Sequence, residues 1–156
     1  MSLSKQKILG VGITTNPKRE ILEFIQNYLL QSQKSKVLPR RQAGKSQKSA
    51  QKPLVITTPN PEQVVLAQKD IHFRELLNQA DVAIPDGVGI SLAAKFLNAK
   101  CQMSNAKWNM QRIAGVELME DLVAIAAKRS IGIALIGGRT GVALKALECL
   151  RARYPG

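Results

Sequence analysis

The stretch Leu54–Leu97, LVITTPNPEQVVLAQKDIHFRELLNQADVAIPDGVGISLAAKFL, decides the fold. Leu54–Thr57 is a short apolar and β-branched run of the kind that becomes a strand buried on both faces. Asn60-Pro61 supplies an N-cap and a proline at the first helical position, ahead of a helix carrying Val64, Val65 and Leu66. A second helical stretch covers 71–79, and Asp81–Pro85 (DVAIP) reads as another short strand. Asp86-Gly87 then turns the chain into a helix near 89–98. Short apolar strands alternating with helices make an α/β protein, Rossmann-like, with a mostly parallel sheet covered by helices on both faces.

The flanks repeat the device. Lys7–Thr15 (KILGVGITT) predicts a strand, Asn16-Pro17 another cap and proline, and Ile21, Leu22, Ile25, Tyr28 and Leu29 fall at helical spacing over 17–30. Residues 99–111 are polar and irregular. Downstream, Gly115–Arg129 predicts a helix with Leu118, Leu122, Val123, Ile125 and Ala126 on its apolar side. Ile131–Ile136 (IGIALI) reads as a buried strand, residues 137–141 as a glycine-rich turn, and Val142–Arg153 as the last helix.

A chain of 156 residues suits one domain. Aromatic residues make up only 4%, so the core rests on Leu, Ile, Val and Ala. No apolar run reaches the roughly 20 residues that cross a bilayer, and Met1–Lys7 lacks the apolar stretch of a signal peptide, which points to a cytoplasmic protein. Cys101 and Cys149 form no CxxC or Cys/His cluster, so neither a disulfide framework nor a zinc site is indicated. The net charge of +12 is uneven: Lys34, Lys36, Arg40, Arg41, Lys45, Lys48 and Lys52 crowd into 31–53 without an acid, leaving +5 for the rest. That Gln/Ser/Lys-rich segment, a basic insertion at about 32–53, reads as a flexible solvated loop. Binding of RNA or an anionic membrane surface there rests on charge alone, and no specific nucleic-acid partner is expected.

Parallel sheets bind ligands beyond the carboxyl ends of their strands, and three loops fall there. Asp86, between Pro85 and Gly87, is equally a residue of a tight turn and a carboxylate placed to deprotonate a hydroxyl. Asn60 carries the same ambiguity, since an N-cap needs no further explanation, and Thr58 is equally a turn residue. In Gly137-Gly138-Arg139-Thr140-Gly141 the strand–turn–helix context suits a phosphate on backbone amides, with Arg139 adding charge. Such turns are also common purely as structure. Arg112 is a surface cation or a phosphate contact, and His72 has no metal partner at helical spacing. No Asp-x-Asp pair exists to carry magnesium, so neither metal nor cofactor is expected.

Taken together, Thr58–Leu97, Arg112–Arg129 (RIAGVELMEDLVAIAAKR) and Ile133–Gly156 (IALIGGRTGVALKALECLRARYPG) resemble the WecG/TagA/CpsF glycosyltransferase family in order and spacing. The resemblance implies an inverting transferase. It would move N-acetylmannosamine, or a related hexose, from a UDP-sugar donor to polyprenyl-diphosphate-linked N-acetylglucosamine, in cell-surface polysaccharide or teichoic acid synthesis. The work would be done at the cytoplasmic membrane face, with peripheral contact. By similarity Asp86 is the general base, and Thr58 and Asn60 line its pocket. Arg112 contacts phosphate or acceptor, and Gly137, Gly138, Arg139 and Gly141 border the nucleotide-sugar. Family members continue beyond the motif that ends here at Gly156. The sheet is therefore expected to be incomplete, with an exposed edge that favours a homo-oligomer. A catalytically inactive nucleotide-binding remnant is the alternative reading.

Overall fold

The computed structural model describes residues 2–36, 52–100 and 110–155. It divides into two compact units, Met1–Ala114 and Gly115–Gly156. The protein is mixed α/β, with six helices and two small two-stranded sheets among the described residues.

The first unit opens differently from expectation. Instead of one strand, Lys7–Thr15 is folded back on itself: β1 (Lys5–Ile8) and β2 (Val11–Thr14) form an antiparallel hairpin with Ile8 opposite Val11. The two turn residues, Leu9 and Gly10, both have positive φ, 48° and 81°. This is the combination that lets a two-residue loop match the twist of its strands. Leucine is a poor occupant of that conformation, and side chains from elsewhere hold it. Gln68 Nε2 donates to the Leu9 carbonyl at 2.6 Å, and Asn78 Nδ2 donates to the Gly10 carbonyl at 3.0 Å.

The helix α1 runs Lys18–Lys36, longer than the periodicity suggested. Asn16 does not cap it: its side chain accepts from the Ser4 N–H at 2.6 Å and donates to Glu20 at 2.8 Å, strapping the hairpin to the first helical turn. Of the basic insertion expected at 32–53, the first residues continue α1, and residues 37–51 lie outside the described residues.

β3 (Ile56–Thr57), α2 (Pro61–Lys69), α3 (Ile71–Gln79) and β4 (Val82–Ala83) form the crossover read from the sequence. β3 and β4 pair in parallel, Ile56 with Val82 and Thr57 with Ala83. Asp70 divides the two helices because it ends one and caps the other: its N–H reaches the Leu66 carbonyl, and its carboxylate accepts from the Phe73 N–H at 2.9 Å. α4 (Val88–Lys100) follows. The core joins Ile8, Val11 and Ile13 of the hairpin to Val64 and Ala67 of α2, Leu77 of α3, Ile90 and Ala94 of α4, and Met110.

The second unit holds α5 (Gly115–Lys128) and α6 (Val142–Arg153), joined by an Arg153–Glu120 ion pair at 2.8 Å. α5 ends in a Schellman motif. Ser130 takes φ 51°, its N–H donates to the Ala127 carbonyl at 3.3 Å, and the Ile131 N–H reaches the Ala126 carbonyl at 2.9 Å. The segment expected to be a buried strand, Ile131–Ile136, is not one. It has no ladder partner among the described residues, and Ile136 is 96% exposed. An apolar run becomes a strand only when neighbouring strands take up its N–H and C=O groups.

Candidate functional site

Because β3 and β4 run parallel, their carboxyl ends emerge side by side, and the two following loops meet. The Ile84 N–H donates to the Thr57 carbonyl at 2.8 Å, extending the pairing past the strand ends. The Asp86 N–H then donates to the Pro59 carbonyl at 3.2 Å. On the other side the Ile113 N–H donates to the Pro85 carbonyl at 3.1 Å, which lays the segment after Met110 against the same loop. Backbone bonds therefore bring Thr58, Asn60, Asp86 and the chain at Arg112 into one neighbourhood of the first unit.

Each side chain is held differently. Pro59 and Pro85 are fully buried, so the loops turn on rigid, packed residues. Asp86 is half-buried, and no hydrogen bond or ion pair engages its carboxylate among the described residues. Thr58 is half-buried too, and Arg112 is exposed. Asn60 has a structural duty: its Oδ1 accepts from the Gln63 N–H at 2.8 Å, and its own N–H donates to Gln63 Oε1 at 3.3 Å, a capping box at the start of α2. Thr57 Oγ1 and Ser91 Oγ, one at the end of β3 and one in the first turn of α4, are buried without a hydrogen-bond partner among the described residues. Their bonding capacity is unused within the described residues.

Two glycines permit the approach of the loops. Gly87 sits at φ 92°. A Cβ on it would stand 3.2 Å from Pro61 Cδ, and one on Gly89 only 2.6 Å from Pro61 Cγ. The sequence marks Pro61 as the first residue of a helix, but nothing in either motif announces that it touches Gly89.

The glycine-rich turn belongs to the second unit. Gly137, Gly138 and Gly141 have φ of 97°, 85° and 80°, a backbone that side chains rarely adopt. A Cβ on Gly137 or Gly141 would meet nothing within 4 Å, so conformation rather than crowding calls for glycine there. Gly141 caps α6 without a side-chain bond, and Arg139 is exposed. Such a turn presents backbone amides at a helix N-terminus, where an anion is favoured.

His72 is exposed, 4.0 Å from Glu75 on its own helix. Among the described residues, no group of three or more His, Cys, Asp and Glu side chains could hold a metal ion, and no helix is long and apolar enough to cross a membrane. Trp108 and Cys101 lie outside the described residues.

A parallel strand pair joined through helices makes this a protein of the mixed α/β class. The chain belongs to the Glycosyl transferase WecG/TagA/CpsF family, whose model matches residues 38–156. It is similar to the N-acetylglucosaminyldiphosphoundecaprenol N-acetyl-beta-D-mannosaminyltransferase of Bacillus subtilis strain 168, with 29% identity over 101 residues, 65% of this chain and 36% of that protein. The protein of the same name from Staphylococcus aureus strain NCTC 8325 is 33% identical over 102 residues, 65% of this chain and 37% of its own length. The chain thus spans little more than a third of the curated relatives it matches.

Proposed function

We propose that the chain carries the base and acceptor loops of an inverting glycosyltransferase. The reaction moves N-acetylmannosamine, or a related hexose, from UDP to a polyprenyl-diphosphate-linked N-acetylglucosamine at the cytoplasmic membrane face. The observation that carries this reading is the bond from the Asp86 N–H to the Pro59 carbonyl, which ties the backbone at Asp86 to the Thr58–Asn60 loop, while no protein partner engages the Asp86 carboxylate among the described residues.

A single displacement needs one base for the acceptor hydroxyl while negative charge gathers on the departing UDP. In this reading Asp86 takes the proton, and Thr58 and Asn60 line the pocket. The exposed Arg112 meets phosphate or acceptor. The second unit's Gly137–Gly141 turn with Arg139 offers amides and charge suited to a diphosphate, and the alternation of strands and helices favours a Rossmann-like sheet. UDP leaves readily once its diphosphate is met by such groups, so no further acid is called for.

The test is transfer from UDP-N-acetylmannosamine to a short-chain polyprenyl-diphosphate N-acetylglucosamine, comparing the chain with Asp86→Asn. Turnover that disappears in the variant while UDP binding persists supports the reading; turnover that survives removes Asp86 as the base. UDP binding without turnover in the unaltered chain would favour the nucleotide-binding alternative.

A further inference from the structure

The geometry points to Gly89 and Pro61 as positioning residues for Asp86, joined by a ring-on-backbone contact that sets the start of α4 against the start of α2. This rests on the reading of Asp86 as the base.

Gly89 is the second residue of α4, a place where alanine would favour the helix. Unlike Gly87, it has no positive φ that would require glycine. What excludes a side chain there is space: a Cβ would lie 2.6 Å from Pro61 Cγ and 3.3 Å from Pro61 Cβ. The obstacle is a proline ring at the first position of α2, closed onto the backbone, so that it has only a change of pucker, and no rotamer, by which to move aside. A methyl group at 89 must therefore push the two helix starts apart.

Asp86 and the Asn60 cap lie immediately before those two starts, so the displacement falls on the gap between the base and the Thr58–Asn60 loop. The bond that spans this gap, Asp86 N–H to Pro59 at 3.2 Å, is longer than the neighbouring Ile84 N–H to Thr57 bond at 2.8 Å. It should give way first. A carboxylate moved by a fraction of an ångström from its acceptor loses rate without losing donor affinity.

The experiment compares the full chain with Gly89→Ala, Pro61→Ala and the double variant, following amide hydrogen exchange at Asp86 and Ile84 together with transfer kinetics. Gly89→Ala is expected to speed exchange at Asp86 about tenfold while Ile84 stays within about twofold, as local rather than global opening predicts. Removing the ring in Gly89→Ala/Pro61→Ala should restore Asp86 protection to the level of Pro61→Ala alone. In the kinetics, kcat should fall about tenfold in Gly89→Ala with the donor KM unmoved, and recover in the double variant. Unchanged Asp86 exchange in Gly89→Ala, equal loosening of Asp86 and Ile84, or no recovery in the double variant each overturns the contact's role. If the unaltered chain has no turnover, the nucleotide-binding alternative replaces the transferase reading, while the exchange data still judge the contact by themselves.

Discussion

Thr14 Oγ1 accepts the backbone N–H of Ala83 at 3.0 Å, and both residues are wholly buried. A hydroxyl of β2 thus takes a donor of β4 that a further strand would otherwise satisfy. It links the antiparallel hairpin to the parallel pair whose end carries Asp86.

Replacing Thr14 with Val keeps the shape and removes the acceptor, leaving the Ala83 N–H buried and unpaired. The expected loss is about 1–3 kcal/mol of stability. Thr14→Ser, which keeps the hydroxyl, should lose less. Urea unfolding of the three proteins checks this, and equal midpoints for Thr14→Val and the parent would refute it.

Asn60 is predicted to serve both structure and site. Asn60→Ala should cost about 0.5–2 kcal/mol through loss of the α2 cap. Asn60→Asp retains a capping oxygen and should stay near the parent in thermal melting. Should Asn60→Asp also keep full transfer activity, the residue's part in the site would be reduced to capping.

Asp86→Asn is expected to lower the rate of transfer by about 100- to 10,000-fold, the range supplied by a positioned base. Because the substitution nearly preserves size, UDP binding measured by calorimetry should change little. A parallel loss of UDP affinity would place Asp86 in nucleotide binding instead.

Asp81 governs a pH effect away from the site. The Val55 N–H donates to its carboxylate at 2.9 Å, and this bond, helped by Lys52 at 3.4 Å, holds the pKa below the usual carboxylate value against the opposing pull of desolvation. A carboxyl group depressed on folding stabilises the protein above its unfolded pKa and loses that contribution as pH falls through the folded value. Stability should therefore fall with acid below about pH 4. Asp81→Asn should flatten that part of the profile in melts taken across pH, and an unaltered acid slope would refute the assignment.

Much of the local structure around the candidate loops is legible in the sequence. Asn60-Pro61 announced the start of α2 and Pro85-Asp86-Gly87 the turn into α4, because caps and turns depend on residues only a few positions apart. Helices α3, α5 and α6 followed their apolar spacing for the same reason. The hairpin of Lys5–Thr14 is not legible in the sequence. Its turn places a leucine at positive φ, which local preference disfavours, and its support comes from Gln68 and Asn78 far along the chain. Ile131–Ile136 failed in the opposite sense, being apolar enough for a strand but without a ladder partner among the described residues.

The sequence by itself determined where the helices fall, the Asn60 cap of α2 and the chemical identity of the loops, since these follow from the periodicity and hydrogen bonding of near neighbours. Only the tertiary structure decided that β3 pairs with β4, that Pro59 receives the N–H of Asp86, and that Pro61 fills the space a side chain on Gly89 would need. Those relations join residues distant along the chain, and each exists only where packing brings a particular donor, acceptor or ring to a particular backbone.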